Sequence, residues 1–248
     1  MMVNERKKLD RTGEIYETKN GQIIITKYFD KNNVSIKFLE DNTELSNIQF
    51  GHISRGTVKN PNKPNIFNLG FNGIGKYSNK THPKIYNTWS NMFKRCYLDI
   101  TQQKQKTYIG CSVDKRWFNL QIFGEWYEKN YIDNWQLDKD ILLSGNKIYG
   151  PDTCCFIPAE INTIFCNAKL IRGELPVGVS LHGNKYRVKM AKNTIQINYG
   201  VFSTIEEAFS IYKIEKEKHI KFVANKYKDL LSLKVYNILI NYEIKITD

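Results

Sequence analysis

The chain has 248 residues, 41% of them hydrophobic, which is long enough for one large core or two to three small ones. Its formal net charge of +12 favours a polyanionic partner, because neutralising phosphates supplies most of the non-specific affinity for DNA. Acidic membranes are the competing partner, but no apolar run approaches the roughly 20 residues that span a bilayer. Residues 1–14 also lack the apolar core of a signal peptide, so we expect a cytoplasmic protein.

The segment 21–58 predicts a small antiparallel β-sheet or barrel. It contains three β-rich runs, separated by polar turns at residues 30–33 and 40–42. Residues 58–65 follow with two prolines and three asparagines, a composition typical of a linker. We place the end of a first module, residues 1–62, in this stretch.

Two central segments predict amphipathic helices, because apolar side chains recur in them at intervals of three and four. These side chains are Trp89, Met92, Phe93 and Cys96 in the first segment, and Trp117, Leu120, Phe123 and Trp126 or Tyr127 in the second. Aromatic side chains can stack on bases, but a stripe at helical period usually packs into a core. We therefore expect both stripes to be buried.

The segment 137–162 carries acidic residues and turn signals at the spacing of a small metal-binding unit. Asp138 and Asp140 alternate in a run with β-forming ends, residues 144–146 have turn chemistry, and residues 151–152 open a short helix or turn. The pattern predicts a strand over residues 137–143, then a turn, a strand and a helix.

Asp138 from the first strand and Asn162 from the helix would supply oxygen ligands for magnesium, which prefers carboxylates and carbonyls. The metal would stabilise the leaving oxygen at a phosphate. The alternative is that Asp138 and Asp140 only cap turns and pair with surface lysines. Since alternate residues of a strand share a face, both interpretations place the two acids together.

This segment resembles the degenerate HNH, or His-Me finger, module of phage and mobile-element proteins. The matching residues are Leu137, Asp138, Gly145, Asn146, Tyr149, Pro151, Cys154 and Asn162. A pattern of aromatic, basic and cysteine residues upstream also recurs in that family and extends the resemblance to residues 86–162. The resemblance implies a magnesium-dependent, homing-type DNA endonuclease whose catalytic group is formed by Asp138, Lys139, Asp140 and Asn146.

Lys139 departs from the family pattern. Active members have a general-base histidine at this position, whereas an ordinary lysine, with a pKa of about 10.4, is protonated at neutral pH and cannot accept a proton from water. Three explanations stay open: another group activates the water, burial makes Lys139 neutral, or the module keeps its fold and phosphate contacts without hydrolysis. His82 is the histidine of the central module that could replace the base, although a solvated or packed histidine is the ordinary case.

The segment 172–218 predicts three short strands followed by a packing helix, with Ser203 and Glu206 forming a capping box at the helix start. Helical spacing in residues 220–231 predicts a further, C-terminal helix. The segment resembles the Apetala/ethylene-response DNA-binding domain, which also occurs in phage homing endonucleases and tyrosine integrases. The resemblance is carried by Gly178, Val179, Tyr186, Arg187, Val188, Gly200, Phe202, Thr204, Glu207, Ala208 and Tyr212.

That resemblance implies a sheet lying in the DNA major groove with the helix behind it. Strand alternation places Lys185, Arg187 and Lys189 on one face, and Tyr186, Val188 and Met190 on the face toward the helix. Arginine can contact guanine bidentately, so Arg187 is the predicted base reader, and Gln196 and Asn198 on the next strand are candidates for adenine. The alternative is an ordinary solvated sheet face.

The five cysteines show no Cys-x-x-Cys pair and no companion histidine at zinc spacing, and their number is odd. Since a reducing cytosol disfavours disulfides, we expect small buried side chains, with Cys154 behind the candidate site. Neither structural zinc nor a cysteine nucleophile is expected.

Together these patterns predict an α+β protein of three modules: a small β module at residues 1–62, a helical segment with a ββα, His-Me-finger-like unit at residues 63–168, and a three-stranded sheet plus helix at residues 169–248. Double-stranded DNA is the expected partner and magnesium the expected cofactor. Two alternatives stay open. One is a non-catalytic DNA-binding protein with a degenerate nuclease fold. The other is a phage protein that binds a host factor by mimicking or masking a DNA site, and the positive charge argues against mimicry.

Overall fold

The structure is a computed structural model, and it describes residues 9–165, 174–192 and 195–246. These residues form an α+β fold with a four-stranded sheet, a three-stranded sheet and two short two-stranded sheets. Packing divides the chain into two compact units, Met1–Phe93 with Lys115–Gly124, and Lys94–Asp114 with Glu125–Asp248. The three-module division stays a prediction, and its boundary at residue 168 lies outside the described residues. Across the described ranges, no helix combines the length and apolar character needed to cross a membrane.

The N-terminal sheet confirms the predicted antiparallel β module. Its strands are paired in chain order, β1 Ile15–Thr18, β2 Gly21–Asp30, β3 Asn33–Phe38 and β4 Glu44–Ile48, and helix α1 Phe50–Ser54 follows. Alternate residues of β2 and β3 form the core together with Ile53 and Val58. Strand β1 lies outside the predicted segment, because its residues are exposed or half-buried and give no apolar alternation.

The proline- and asparagine-rich segment is attached to this sheet, so the interpretation of residues 58–65 as a plain linker is wrong. Asn60 is only 5% exposed. Its Nδ2 donates to Asp41 Oδ2 at 2.8 Å, and its backbone N–H donates to Asn20 Oδ1 at 3.2 Å. The segment is a loop, and its asparagine side chains and backbone bond it to the sheet.

The two predicted amphipathic helices are α2 Pro83–Tyr97 and, after α3 Asp99–Lys104, α4 Leu120–Asn130. The predicted stripes are core residues: Trp89, Met92, Phe93, Cys96, Trp117, Leu120, Phe123 and Tyr127 are buried, and Trp126 is half-buried. Trp117 lies in a 3-10 turn before α4. Within the first unit, Trp89 Nε1 donates to the carbonyl of Trp117 at 2.7 Å. The stripes therefore serve packing rather than base stacking.

A ββα unit lies in the second compact unit, as predicted. Strand β6 Trp135–Asp138 pairs antiparallel with β8 Cys155–Pro158, helix α5 Ala159–Ile164 begins directly afterwards, and between the two strands β7 Ile148–Tyr149 pairs in parallel with β5 Ser112–Val113. The predicted bounds were less accurate. The first strand ends at residue 138 instead of 143. Residues 151–153 form a turn, which was one of the two predicted forms, but a strand follows them and the helix begins only at residue 159.

The C-terminal sheet has β10 Lys185–Lys192 between β9 Val179–His182 and β11 Ile195–Phe202. Helix α6 Ile205–Lys226 packs on this sheet, and α7 Leu233–Ile240 follows it. The three-stranded sheet and its helix are confirmed, but residues 220–226 continue α6 and do not start a new helix.

The helix α6 is capped one residue later than predicted. Thr204 is the N-cap, and its side chain accepts a hydrogen bond from the Glu207 N–H at 3.2 Å. Glu207 Oε2 in turn accepts from the Ser203 N–H at 3.3 Å. Thr204 and Glu207 thus cap the helix in place of the predicted Ser203 and Glu206 pair, and the carboxylate bonds to the residue before the N-cap instead of to the N-cap itself.

Candidate functional site

Asp138 ends β6 and caps the loop that follows. Its Oδ1 accepts hydrogen bonds from the backbone N–H of Asp140 at 2.9 Å and of Ile141 at 2.7 Å. Such a side-chain bond replaces strand pairing with a turn, which is why the strand does not continue. Burial raises the pKa of Asp138, although the two backbone hydrogen bonds act to lower it. Asp140 therefore lies in the loop and does not share a strand face with Asp138.

Lys139 is buried, with 5% of its surface exposed. Its Nζ donates to Asp140 Oδ1 at 2.6 Å and to the carbonyl of Asn146 at 3.0 Å, and it lies 5.9 Å from the centroid of the Tyr149 ring. Each of these contacts uses the ammonium group as a donor or as a cation. A general base must instead present a lone pair to water. Lys139 therefore links the two ends of the loop by hydrogen bonds.

Asn146 closes the same loop from the other side. Its Nδ2 donates to the carbonyls of Lys139 at 2.8 Å and Ile148 at 2.7 Å, and its Oδ1 accepts from the Ile148 N–H at 3.1 Å. The side chain is 7% exposed, so both of its amide protons are used inside the protein. The predicted catalytic residues Asp138, Lys139, Asp140 and Asn146 thus lie in and beside one loop. Their hydrogen bonds stabilise the conformation of that loop.

Asp138 and Asn162, the predicted magnesium ligands, line one cavity of about 350 Å³. Asn162 lies on α5, and its Nδ2 donates to Gln136 Oε1 on β6 at 2.7 Å. Most of the other lining side chains are apolar. Within the described ranges, no cluster of three or more histidine, cysteine, aspartate or glutamate residues is placed to hold a metal. One carboxylate and one amide oxygen are few protein donors for a resident ion, so the magnesium site stays a prediction.

The described cysteines of this unit have surroundings that disfavour ionisation. Cys96, Cys111 and Cys154 are buried and Cys155 is half-buried, and none of the four is in a disulfide. Burial disfavours the thiolate and raises the pKa of Cys96, Cys154 and Cys155 to about 12. Cys166 lies outside the described residues. The geometry agrees with the expectation of packed, unreactive side chains.

His82, considered as a replacement base, belongs to the other compact unit. Its ring packs edge-on against Tyr77 with centroids 5.0 Å apart, and its Nδ1 lies 2.9 Å from Thr81 Oγ1. Its contacts are therefore those of a packed histidine.

The C-terminal sheet presents one face away from α6. Val188 and Met190 of β10 are 0% and 4% exposed and belong to the same apolar core as Tyr212 of α6. The neighbouring residues Lys185, Arg187 and Lys189 must therefore point to the opposite side. We call this side the open face.

The strand register adds residues to the open face, because directly opposed residues of antiparallel strands point the same way. Lys185 lies opposite His182 on β9, and Lys189 lies opposite Asn198 on β11. Arg187 lies between Ser180 on β9 and Val201 on β11. Gln196 lies opposite Ala191 on the same side. The structure therefore brings all five predicted DNA contacts, Lys185, Arg187, Lys189, Gln196 and Asn198, onto a single face.

Among the described residues, no carboxylate forms a salt bridge with Lys185, Arg187 or Lys189 of the open face. Four lysines elsewhere in the same sheet-and-helix region are paired: Lys192 and Lys218 with Glu215, Lys213 with Glu217, and Lys226 with Glu160. Lys221 of α6 forms no salt bridge in these ranges. Much of the positive charge around the helix is thus compensated, whereas the three cations of the open face are not.

Sequence reasoning missed Ser180, His182 and Val201 as members of this face. They lie on outer strands, and their direction depends on the pairing register, which no local pattern specifies. The usable signal was Gly200 inside a strand, since a strand glycine often marks a bulge.

Comparison of the chain with protein-family models, with curated proteins and with solved structures gave no match. The two family resemblances consequently depend on the matching residues alone and stay predictions.

Proposed function

We propose that the protein binds duplex DNA through the open face of its C-terminal sheet. The observation that carries this proposal is the row of three cations, Lys185, Arg187 and Lys189, none of which has a carboxylate partner among the described residues. Phosphates are the ligands that such a row favours. The outer strands of a three-stranded sheet lie about 10 Å apart, within the roughly 12 Å width of the DNA major groove.

The side chains on this face differ in the DNA groups that they can contact. Arg187 lies on the middle strand, where its planar guanidinium can bond bidentately to guanine, while Lys185 and Lys189 are suited to phosphates. Asn198 and Gln196 offer the paired donor and acceptor that adenine requires. The buried side of β10 holds this row rigid because Val188 and Met190 are anchored in the core.

Salt dependence tests the proposal. A labelled duplex is titrated with the full chain at several salt concentrations and followed by fluorescence anisotropy. The open face supplies about two or three phosphate contacts, and the net charge of +12 supplies further ones elsewhere on the chain. With roughly 6 to 10 phosphate contacts in total, affinity should fall by about 10³ to 10⁵ between 50 and 200 mM salt. An affinity that does not change with salt contradicts the proposal.

A second candidate function is magnesium-dependent hydrolysis of the bound DNA. The observation that favours it is the shared cavity of Asp138 and Asn162. These two residues would hold the ion, and the ion would supply stabilisation of the leaving oxygen. Lys139 and Asn146 would then support the site by fixing the loop and would not transfer protons themselves.

Plasmid nicking decides between binding alone and binding with hydrolysis. If the second candidate is right, nicking requires magnesium, stops with chelator, and is lost in Asp138→Asn, while DNA binding persists. The asparagine keeps an oxygen for the Asp140 and Ile141 N–H groups, so the turn is retained and only the charge is removed. Normal nicking by this variant, or no nicking by the wild type, contradicts hydrolysis at this cavity. DNA binding alone is then the function that is left.

A further inference from the structure

A cleft of about 570 Å³ opens in the first compact unit, far along the sequence from the C-terminal sheet. It is formed by the turn between β1 and β2, the segment after α1, and Asn72. Its volume lies in the range of roughly 300 to 1,000 Å³ typical of small-ligand sites. Its described lining contains three lysines, Lys19, Lys59 and Lys63, and no carboxylate.

The walls of this cleft are fixed by hydrogen bonds between distant parts of the chain. The Lys19 N–H donates to the carbonyl of Gly56 at 3.4 Å, and the Gly73 N–H donates to the carbonyl of Pro61 at 2.9 Å. A third bond joins Asn60 to Asn20, as described for the N-terminal sheet. A cleft whose walls are held in this way loses little freedom when a ligand enters.

The close approach of the two walls depends on Gly56. Its φ of +60° is in the left-handed region, and a Cβ there would lie 2.8 Å from the carbonyl oxygen of Glu17. A side chain at this position would therefore push the segment after α1 away from β1.

The cleft carries uncompensated positive charge. Lys63 is paired with Glu40 at 2.7 Å, whereas the exposed Lys19 and Lys59 have no carboxylate partner among the described residues. Asparagine side chains and Thr57 add neutral hydrogen-bonding groups to the same lining. Two cations beside amide and hydroxyl groups match a phosphate and the polar groups attached to it.

We propose that this cleft is a phosphate-binding site, separate from the open face, that takes the phosphate of a nucleic-acid strand or of a free phosphate compound. Lys19 and Lys59 neutralise the phosphate. The side-chain amides of Asn65 and Asn72 hydrogen-bond to the sugar and base when the ligand is a strand, because those of Asn20 and Asn60 are already bonded within the walls. The cleft is larger than one phosphate needs, so a nucleotide unit of a single strand is the ligand that fits best.

The test uses the full chain and two probes, a fluorescent thymidine tetranucleotide and inorganic phosphate, the second added as a competitor. The cleft variant is Lys19→Gln with Lys59→Gln. The matched control is Lys27→Gln with Lys31→Gln, which removes the same charge from two exposed positions of the same sheet that do not line the cleft. All four positions are exposed, and thermal melting verifies that both variants fold.

The cleft variant should bind the tetranucleotide about tenfold or more weakly, whereas the control should stay within about twofold of the wild type. The slope of log affinity against log salt should also fall by roughly 0.7 for each lysine that contacts the strand. Competition by inorganic phosphate at equal concentration identifies free phosphate as the ligand, and its failure identifies the strand. Equal weakening in both variants, or no binding of either probe, overturns the proposal.

The outcome is independent of the open face. Duplex binding separates the two sites, because neither Lys19 nor Lys59 lies on the open face. The cleft variant should lose tetranucleotide affinity and keep the preference of the wild type among duplex sequences. A cleft variant that binds the tetranucleotide like the wild type, with Arg187→Ala weakened, assigns strand binding to the sheet and overturns the cleft site.

Discussion

Asn198 lies directly opposite Lys189 because β11 contains one residue more than β10 at this point. Val188 pairs with Gly200, but the next residue, Lys189, pairs with Asn198 and leaves Tyr199 as the extra residue. Without this bulge, Asn198 would share a side with Phe202, which packs against the core. The bulge turns Asn198 and Gln196 onto the open face beside the basic row.

Gly200→Ala should destabilise the second unit by about 1–3 kcal/mol, because alanine is strained in the conformation that glycine adopts here. Gly200 has a φ of +121°, and a Cβ would lie 3.2 Å from Phe202 Cζ. Urea denaturation measures the change. The neighbouring exposed substitution Val201→Ala serves as the control and should stay within about 0.5 kcal/mol. Equal stability of the two variants would show that the bulge does not need a glycine.

The loop between β6 and β8 gives a second prediction. Asn146→Ala removes the side chain that bonds to Lys139 and Ile148, so it should lower the free energy of unfolding by about 1–3 kcal/mol. Ser144→Ala, an exposed position in the same loop, should have little effect. Chemical denaturation compares the two. An Asn146 variant as stable as the wild type would contradict the structural part assigned to this residue.

His219 predicts a pH dependence of stability. Burial lowers its pKa, and the positive charges of Lys192 and Lys216 lower it further, while Glu160 opposes them. The unfolded chain therefore takes up a proton near the ordinary value of about 6.5, at a pH where the folded chain still resists it. Stability should fall as the pH decreases through that value and level off below the pKa of the folded state.

His219→Gln should remove this part of the pH dependence, and thermal melting between pH 5 and 8 measures it. The exposed histidine variant His182→Gln is the control for loss of a histidine elsewhere. A His219 variant that keeps the full slope between these pH values would show that other groups cause it.

The apolar patterns of the sequence were sufficient to predict the elements that build the cores. Trp89, Met92 and Phe93 recur at helical spacing and are buried, and Val188 and Met190 alternate along a strand and are buried. Burial of apolar side chains is the dominant favourable term in folding, so the spacing of apolar residues predicts which side of a helix or strand is buried.

The polar details of the candidate site were not predictable in the same way. The β-forming ends of residues 137–143 predict a strand, but Asp138 bonds to the backbone and ends the strand. Lys139 is buried only because Asp140 and the Asn146 carbonyl both reach its Nζ. Those partners depend on the folded loop, so local propensity cannot show them. The register of the outer strands was unpredictable for the same reason.

The most direct test of DNA binding by the open face is competition of single variants against a randomised duplex pool. Arg187→Ala should weaken specific binding by about 1–3 kcal/mol and relax the preference at one base position. Lys189→Ala should weaken all sequences alike. The control Lys218→Ala removes a paired lysine of α6 and should change little.

Thermal melting must first show that each variant is folded, which is expected because Arg187 and Lys189 point away from the core. We expect the Arg187 variant to lose affinity and preference while its melting temperature is unchanged. Unchanged affinity and unchanged preference in a folded Arg187 variant would contradict this expectation, since the sheet would then not read DNA.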